Sequence, residues 1–252
     1  MLDFHTHILP GMDDGSKNIE ESLAILKTQY QKGIKGCILS SHFYPEDDKA
    51  VFVHKGREGK KALEKSLQEA GLLEMKLYTG AEVLLSVDTP KLEKIEELCF
   101  SGTSYILLEM PYSHWSNWIY DTVEELISIH RVRPIIAHVE RYDAVMNSPN
   151  ALLPFLEMGA LLQLNSYSLM KRSSRHKLSH SLIKHGMIHL LGSDVHHRGN
   201  FVTVADAYKE IESKHGRERA IWMKEIGEKV VLNQEVMVEG YKPFKKFLGK
   251  WY

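Results

Sequence analysis

Apolar and polar positions alternate along this chain on two length scales. Short apolar runs at 36–39, 75–81, 105–108, 134–137, 160–164 and 188–192 are bounded by Gly, Pro or polar residues, the form of a strand buried on both faces. A further short run, 1–5, opens the chain. Between these runs lie longer stretches whose apolar residues recur three and four apart. Ile19, Leu23, Leu26 and Tyr30 make one such stripe, with Asn18 placed to cap the helix and Gly33 to end it. The same period predicts helices near 51–70, 92–98, 118–129, 151–158 and 175–184, and two more at 202–213 and 218–232 before a Lys-rich tail. Strand and helix thus alternate seven times, which requires a parallel sheet.

Polar residues able to bind metal end nearly every run. His5 and His7 lie two apart, side by side on a strand, and Asp14 sits on the Pro10–Gly15 turn just beyond. His42, Glu82, Glu109, His138, Asn165, Asp194 and His196 close the later runs. An open doubly wound sheet gathers functional groups from a few strands near one switch point, whereas a ring of strands brings every end to one mouth. The expected fold is therefore α/β, a distorted seven-stranded (βα) barrel, in a single domain spanning 1–252 with its site at the carboxyl ends of the strands.

Composition narrows the class. With 252 residues, 43% hydrophobic and 26% charged, the chain can bury one large core. A net charge of −1 provides no field for nucleic acid, so any preference for anions is local. Cys37 and Cys99 lie among apolar residues and read as free thiols in a reducing compartment. No apolar run reaches membrane-spanning length and no secretory leader is evident, so a cytoplasmic location is expected. The oligomeric state stays open.

An isolated His-x-His pair is often structural, but five imidazoles and four carboxylates crowded at one mouth would repel without cations. Mixed nitrogen and oxygen donors without thiolate suit Mn²⁺, Fe²⁺ or Zn²⁺; two ions fit readily, and three if a carboxylate bridges. Such a centre carries excess positive charge, matched by a phosphate ester, and can activate water for in-line displacement. Arg141, three residues past His138, is placed to fork onto a phosphoryl oxygen.

His5-Thr6-His7-Ile8-Leu9-Pro10-Gly11 with Asp13-Asp14-Gly15, Gly80-Ala81-Glu82, His138-Val139-Glu140-Arg141-Tyr142, Gln163-Leu164-Asn165 and Ser193-Asp194-Val195-His196 together resemble the polymerase-and-histidinol-phosphatase (PHP) superfamily, and within it the bacterial capsular-polysaccharide tyrosine-protein phosphatases. The resemblance covers residues 1 to about 200. It implies a distorted (βα)₇ barrel and a trinuclear, usually manganese-supported site that dephosphorylates the tyrosine-rich tail of a capsule or exopolysaccharide kinase. Carried over, one metal takes His5, His7, Glu82 and Asp194, a second Glu82, Glu109 and His138, and a third Asp14, His42 and His196. The chain departs from the family pattern at Val139, where proline is usual, and at Ser40-Ser41, where Thr-Pro is usual. It also lacks the Arg-Pro that tends to follow the last histidine; Arg198, set earlier, is the candidate second active-site arginine.

The mouth loops shape the substrate expectation. Tyr44, Tyr112, Trp115, Trp118 and Tyr167 can wall a phenyl ring, and Lys171, Arg172 and Arg175 can draw an acidic or multiply phosphorylated peptide. Rival readings on the same metal site are a small-molecule phosphatase of the histidinol phosphate type and a phosphodiesterase. A metal-dependent scaffold without activity is a third.

Overall fold

A computed structural model of the protein describes residues 1–112, 115–247 and 250–251. Its strands are β1 (Leu2–Thr6), β2 (Gly36–Leu39), β3 (His42–Phe43), β4 (Lys76–Thr79), β5 (Glu82–Leu84), β6 (Tyr105–Glu109), β7 (Arg133–Ile136), β8 (Leu161–Asn165) and β9 (Leu190–Gly192). The helices are α1 (Ile19–Gln31), α2 (Lys49–Glu69), α3 (Asn117–His130), α4 (Asp143–Asn147), α5 (Leu153–Glu157), α6 (His176–Lys184), α7 (Val204–His215) and α8 (Arg217–Val231). Every pairing among β1 to β9 is parallel, in the orders β1-β2-β4 and β3-β5-β6-β7-β8-β9. A short antiparallel pair, β10 (Lys246–Phe247) and β11 (Lys250–Trp251), lies in the tail.

The strands form a curled parallel array in which β1 meets the segment that follows β9. Asp194 N–H donates to the His5 carbonyl at 2.8 Å and His7 N–H to the Val195 carbonyl at 2.9 Å, around a parallel bridge between Thr6 and Val195. The runs 36–43 and 76–84 are each broken once. Ser40 causes the first break: its hydroxyl accepts the Thr6 N–H at 3.0 Å, so a side chain replaces a ladder position. At the second, Gly80 passes Phe100 so closely that a Cβ there would stand 2.7 Å from the ring. His42 and Glu82 therefore open β3 and β5, where they pair with each other, rather than ending the strands before them.

Alternation within strands sorts the apolar residues into two clusters. Ile38, Tyr105, Leu107, Ile135, Leu161 and Leu190 gather with Phe4 under Ile226 and Val230 of α8. Their neighbours Cys37, Leu39, Ile106, Leu108, Ile136, Leu162 and Leu191 pack instead with apolar residues of α1, α2, α3 and α6. Strand β1 departs from this rule: Asp3 to Thr6 spans one more residue than its partners Cys37 to Leu39. That bulge lets adjacent residues serve different ends, Phe4 the apolar cluster and His5 the polar one.

Most expected helices are present, with the Asn18 cap formed as anticipated: its side chain accepts the Glu21 N–H at 2.9 Å. The stretch 92–98 is not a helix but ends in a 3₁₀ turn, Ile95–Leu98, after another at Thr89–Lys91. Lys94, at φ 51°, breaks the run between them. No helix among the described residues is long and apolar enough to cross a membrane.

Candidate metal centre

All nine candidate ligands converge. Donor atoms of His5, Glu82 and His138 lie within 4.8 Å of one another, as do those of His5, His7 and Asp194, of His42, Glu82 and Glu109, and of His7, Asp14, His42 and His196. Glu82, buried at the centre, reaches four imidazoles: Oε2 is 3.0 Å from His5 Nε2, 3.3 Å from His7 Nε2 and 3.2 Å from His42 Nδ1, and Oε1 is 2.8 Å from His138 Nε2. Two of the residues hold unusual backbone: His138 at φ 28° and Asp194 at φ 55° turn their side chains from positions where most residues would be strained.

The tautomers show what this cluster lacks. His7 Nδ1 donates to Asp13 Oδ2 at 2.8 Å, so His7 Nε2 presents a lone pair. His5 Nδ1 donates to Gln163 Oε1 at 3.2 Å, so His5 Nε2 does the same. These two nitrogens face each other at 3.0 Å, with Glu82 Oε2 and Asp194 Oδ1 beside them. With each imidazole singly protonated, as a metal ligand must be, four acceptors converge there without a donor. Glu82 Oε2 and His42 Nδ1 are likewise buried without a hydrogen-bond partner. Such an arrangement fits divalent cations, since buried acceptors otherwise face the full cost of desolvation. With no cation to answer these acceptors, a proton takes that place: burial disfavours the charged form of His7, but the Asp13 hydrogen bond and Glu82 outweigh it and raise its pKa to about 10. Burial likewise opposes charge on His138, while Glu109 and Glu82 raise it to about 10. Burial pushes the Glu82 carboxyl up, yet His5 and His138 hold it well below the usual range. The site is thus poised to concentrate positive charge.

Around the ligands stands a supporting set of which the sequence named only part. Asp13 holds His7, accepts the His42 N–H at 3.0 Å and accepts the Gly15 N–H at 3.0 Å. Gln163 Oε1 also accepts the His138 N–H at 2.8 Å. Its Nε2 donates to Asn165 Oδ1, and Asn165 Nδ2 donates to Asp194 Oδ2 at 2.7 Å. Asp13 and Gln163 were legible only through the rule that a ligating imidazole needs a partner for its other nitrogen.

Arg141 donates to Asp194 Oδ2 at 2.9 Å and lies over the Tyr112 ring, so it belongs to the cluster. Arg198 does not. Its segment turns toward α1, where Glu21 accepts the Arg198 N–H, and the exposed residue lines a separate hollow with Lys17 and Glu21. Tyr44 stacks on His42 and Tyr112 on His138, both at the mouth. Trp115 is no wall: it is buried against Tyr142 and Phe155, with its indole N–H on the Pro111 carbonyl. Trp118 packs partly buried against the core.

Residues 1–231 match the family described as capsular polysaccharide synthesis, CpsB/CapC. The chain belongs to this family. Its relatives include the tyrosine-protein phosphatase CpsB of Streptococcus pneumoniae, 29% identical over 240 residues, covering 87% of this chain and 93% of that one. The tyrosine-protein phosphatase YwqE of Bacillus subtilis is 28% identical over 255 residues, covering 98% and 97%. A solved structure from the work on YwqE and CpsB, described there as unique metal-dependent tyrosine phosphatases, superposes with a TM-score of 0.87 at 25% identity, covering 98% of this chain and all of that one. Membership in CpsB/CapC agrees with the resemblance carried by the histidine and aspartate motifs.

Proposed function

We propose that this CpsB/CapC protein is a metal-dependent phosphomonoester hydrolase whose substrate is phosphotyrosine in the tail of a capsule or exopolysaccharide tyrosine kinase. The observation that carries the reading is the convergence of lone pairs from His5, His7, Glu82 and Asp194 on one point, with the Arg141 guanidinium against it. His5, His7, Glu82 and Asp194 would hold one cation, Glu82, Glu109 and His138 a second, and Asp14, His42 and His196 a third, with His7 within reach of the last set. The donor set suits Mn²⁺ best, with Fe²⁺ and Zn²⁺ admissible. When bound, the cations supply a water of lowered pKa and Lewis-acid stabilisation of the phosphoryl oxygens.

The chain's own groups do the rest. Arg141 stands ready to stabilise charge developing on a phosphoryl oxygen while Asp194 fixes its orientation. Tyr44 and Tyr112, stacked on site imidazoles, offer flat faces to the phenyl ring of the substrate. The curl that joins Thr6 to Val195 supports reading β2–β3 and β4–β5 as one interrupted strand each, which makes a seven-stranded (βα) barrel in one domain. With no spanning helix among the described residues and two buried thiols, we place the enzyme in the cytoplasm, where the kinase tail would meet it.

The test combines elemental analysis of purified protein with a substrate panel. Two or three transition-metal equivalents are expected, with activity lost to a chelator and restored by Mn²⁺. Phosphotyrosyl peptides should exceed phosphoseryl peptides and histidinol phosphate in kcat/KM by about tenfold, which needs only about 1.4 kcal/mol of differential transition-state binding. Equal or reversed preference would move the protein to the small-molecule branch.

A further inference from the structure

Beside the ligands, a cavity of about 450 Å³ runs from Asp194, His196 and Arg141 to Tyr167, Ser173 and Arg175 in the turn before α6. Its two arginines differ in what they already hold. Arg141 is paired with Asp194. Arg175, half-buried, has no carboxylate within 4.0 Å among the described residues, and its guanidinium bonds only the Ser174 hydroxyl, at 2.8 Å. Among the described residues it makes no hydrogen bond or ion pair with any of the nine candidate ligands, and it enters the cavity from the turn before α6. The neighbouring basic residues are otherwise placed: Lys171 and Arg172 are exposed, and the Arg172 guanidinium lies over the Tyr167 ring.

The turn is held in place before any substrate arrives. Arg175 N–H donates to Ser173 Oγ, Ser173 N–H donates to the Met170 carbonyl, and the Leu169 carbonyl accepts from the rings of both His176 and His180. A backbone ordered beforehand leaves only the Arg175 side chain to lose freedom on binding. The part of the mouth beside Asp14 and His42 is more acidic. There a second cavity of about 430 Å³ is lined, beyond the candidate ligands Asp14 and His42 and the His7 partner Asp13, by Asp47 and Asp48 with Lys55. An acidic side chain would meet two carboxylates and one cation there, and at Arg175 a guanidinium that no carboxylate holds.

Resting on the phosphotyrosine reading, we propose that Arg175 is a specificity-determining residue that binds an aspartate or glutamate close in sequence to the phosphotyrosine of the substrate peptide. Because it meets the flank and not the reacting group, its removal acts on peptide binding and leaves hydrolysis of a bare aryl phosphate intact.

The experiment measures kcat and KM for the Mn²⁺-loaded enzyme and its R175A and R175K variants. The substrates are p-nitrophenyl phosphate, a phosphotyrosyl peptide flanked by glutamates, and the same peptide flanked by alanines. The wild-type enzyme is expected to favour the acidic peptide by about threefold to tenfold, mostly through KM and more weakly at high salt. R175A should lose that preference while keeping p-nitrophenyl phosphate turnover within about twofold, and R175K should retain part of it. An acidic preference that survives in R175A overturns the proposal. So does an equal loss on p-nitrophenyl phosphate, which would place Arg175 on the transferred phosphoryl group. Failure of the wild type on both peptides, with p-nitrophenyl phosphate still cleaved, overturns the phosphotyrosine reading and this one with it.

Discussion

Asp13 does its work one bond removed from the ligands. Its carboxylate fixes the His7 tautomer and, through the His42 N–H, the start of β3, so two candidate ligands depend on it. Asp13→Asn keeps the shape but can present an amide N–H to the imidazole, favouring the wrong tautomer. We expect metal affinity to fall by about 10- to 100-fold with the fold unchanged, read by metal titration and circular dichroism. Arg141 makes a different kind of contribution. Arg141→Lys should retain the charge but not the fork, lowering kcat/KM by roughly tenfold with metal content unaltered. Steady-state kinetics beside elemental analysis separates the two cases.

At the scale of elements, the period of the apolar residues foretold most of the helices because each stripe faces a buried apolar cluster, but not at 92–98, where Lys94 breaks the run. The strand ends were harder. His42 and Glu82 were recognisable as site residues from their place after apolar runs, but the breaks at Ser40 and Gly80 were not, because both follow from contacts with residues distant in sequence, Thr6 and Phe100. Arg198 stands apart from the cluster for a similar reason: Glu21, on α1, accepts its backbone N–H. One junction between elements should be visible in solution. His189, just before β9, accepts the Leu162 N–H of β8 through Nδ1 and lies beside Trp222 of α8, with Nε2 unpartnered. Burial, with Arg219 nearby, holds its pKa at about 3, against 6.5 for a free imidazole. As pH falls below 6.5 the unfolded chain takes a proton that the folded chain refuses, so this residue's contribution to stability is lost from about pH 6.5 down to about 3. His189→Gln keeps an acceptor for Leu162 and removes the titration. Between pH 7 and 4.5 the variant should gain roughly 2 kcal/mol relative to the wild type, measured by denaturant unfolding.

For the whole molecule, the candidate cations sit where β1 meets the segment after β9, so they should stabilise that join as well as the reaction. A ligand that binds only the folded state raises stability in proportion to the logarithm of its excess over Kd. Removing metal with a chelator should lower Tm by several degrees, and Mn²⁺ should restore it, whereas Asp194→Ala should show a smaller response to both. A Tm indifferent to chelation would mean that the join forms without help from the site.

The join between β1 and the segment after β9 also sets a timetable. His5 and His7 leave the ribosome roughly ten to forty seconds before Asp194 and His196 at ordinary rates of synthesis. Throughout that interval the nascent chain carries imidazoles and a Glu82 carboxylate without the backbone bonds from Asp194 to His5 and from His7 to Val195 that bring the last ligands in. The centre is thus assembled from the first and last parts of the segment that builds it. A complete ligand set must await residue 196, and a chain cut short before residue 194 lacks the backbone bonds to His5 and His7.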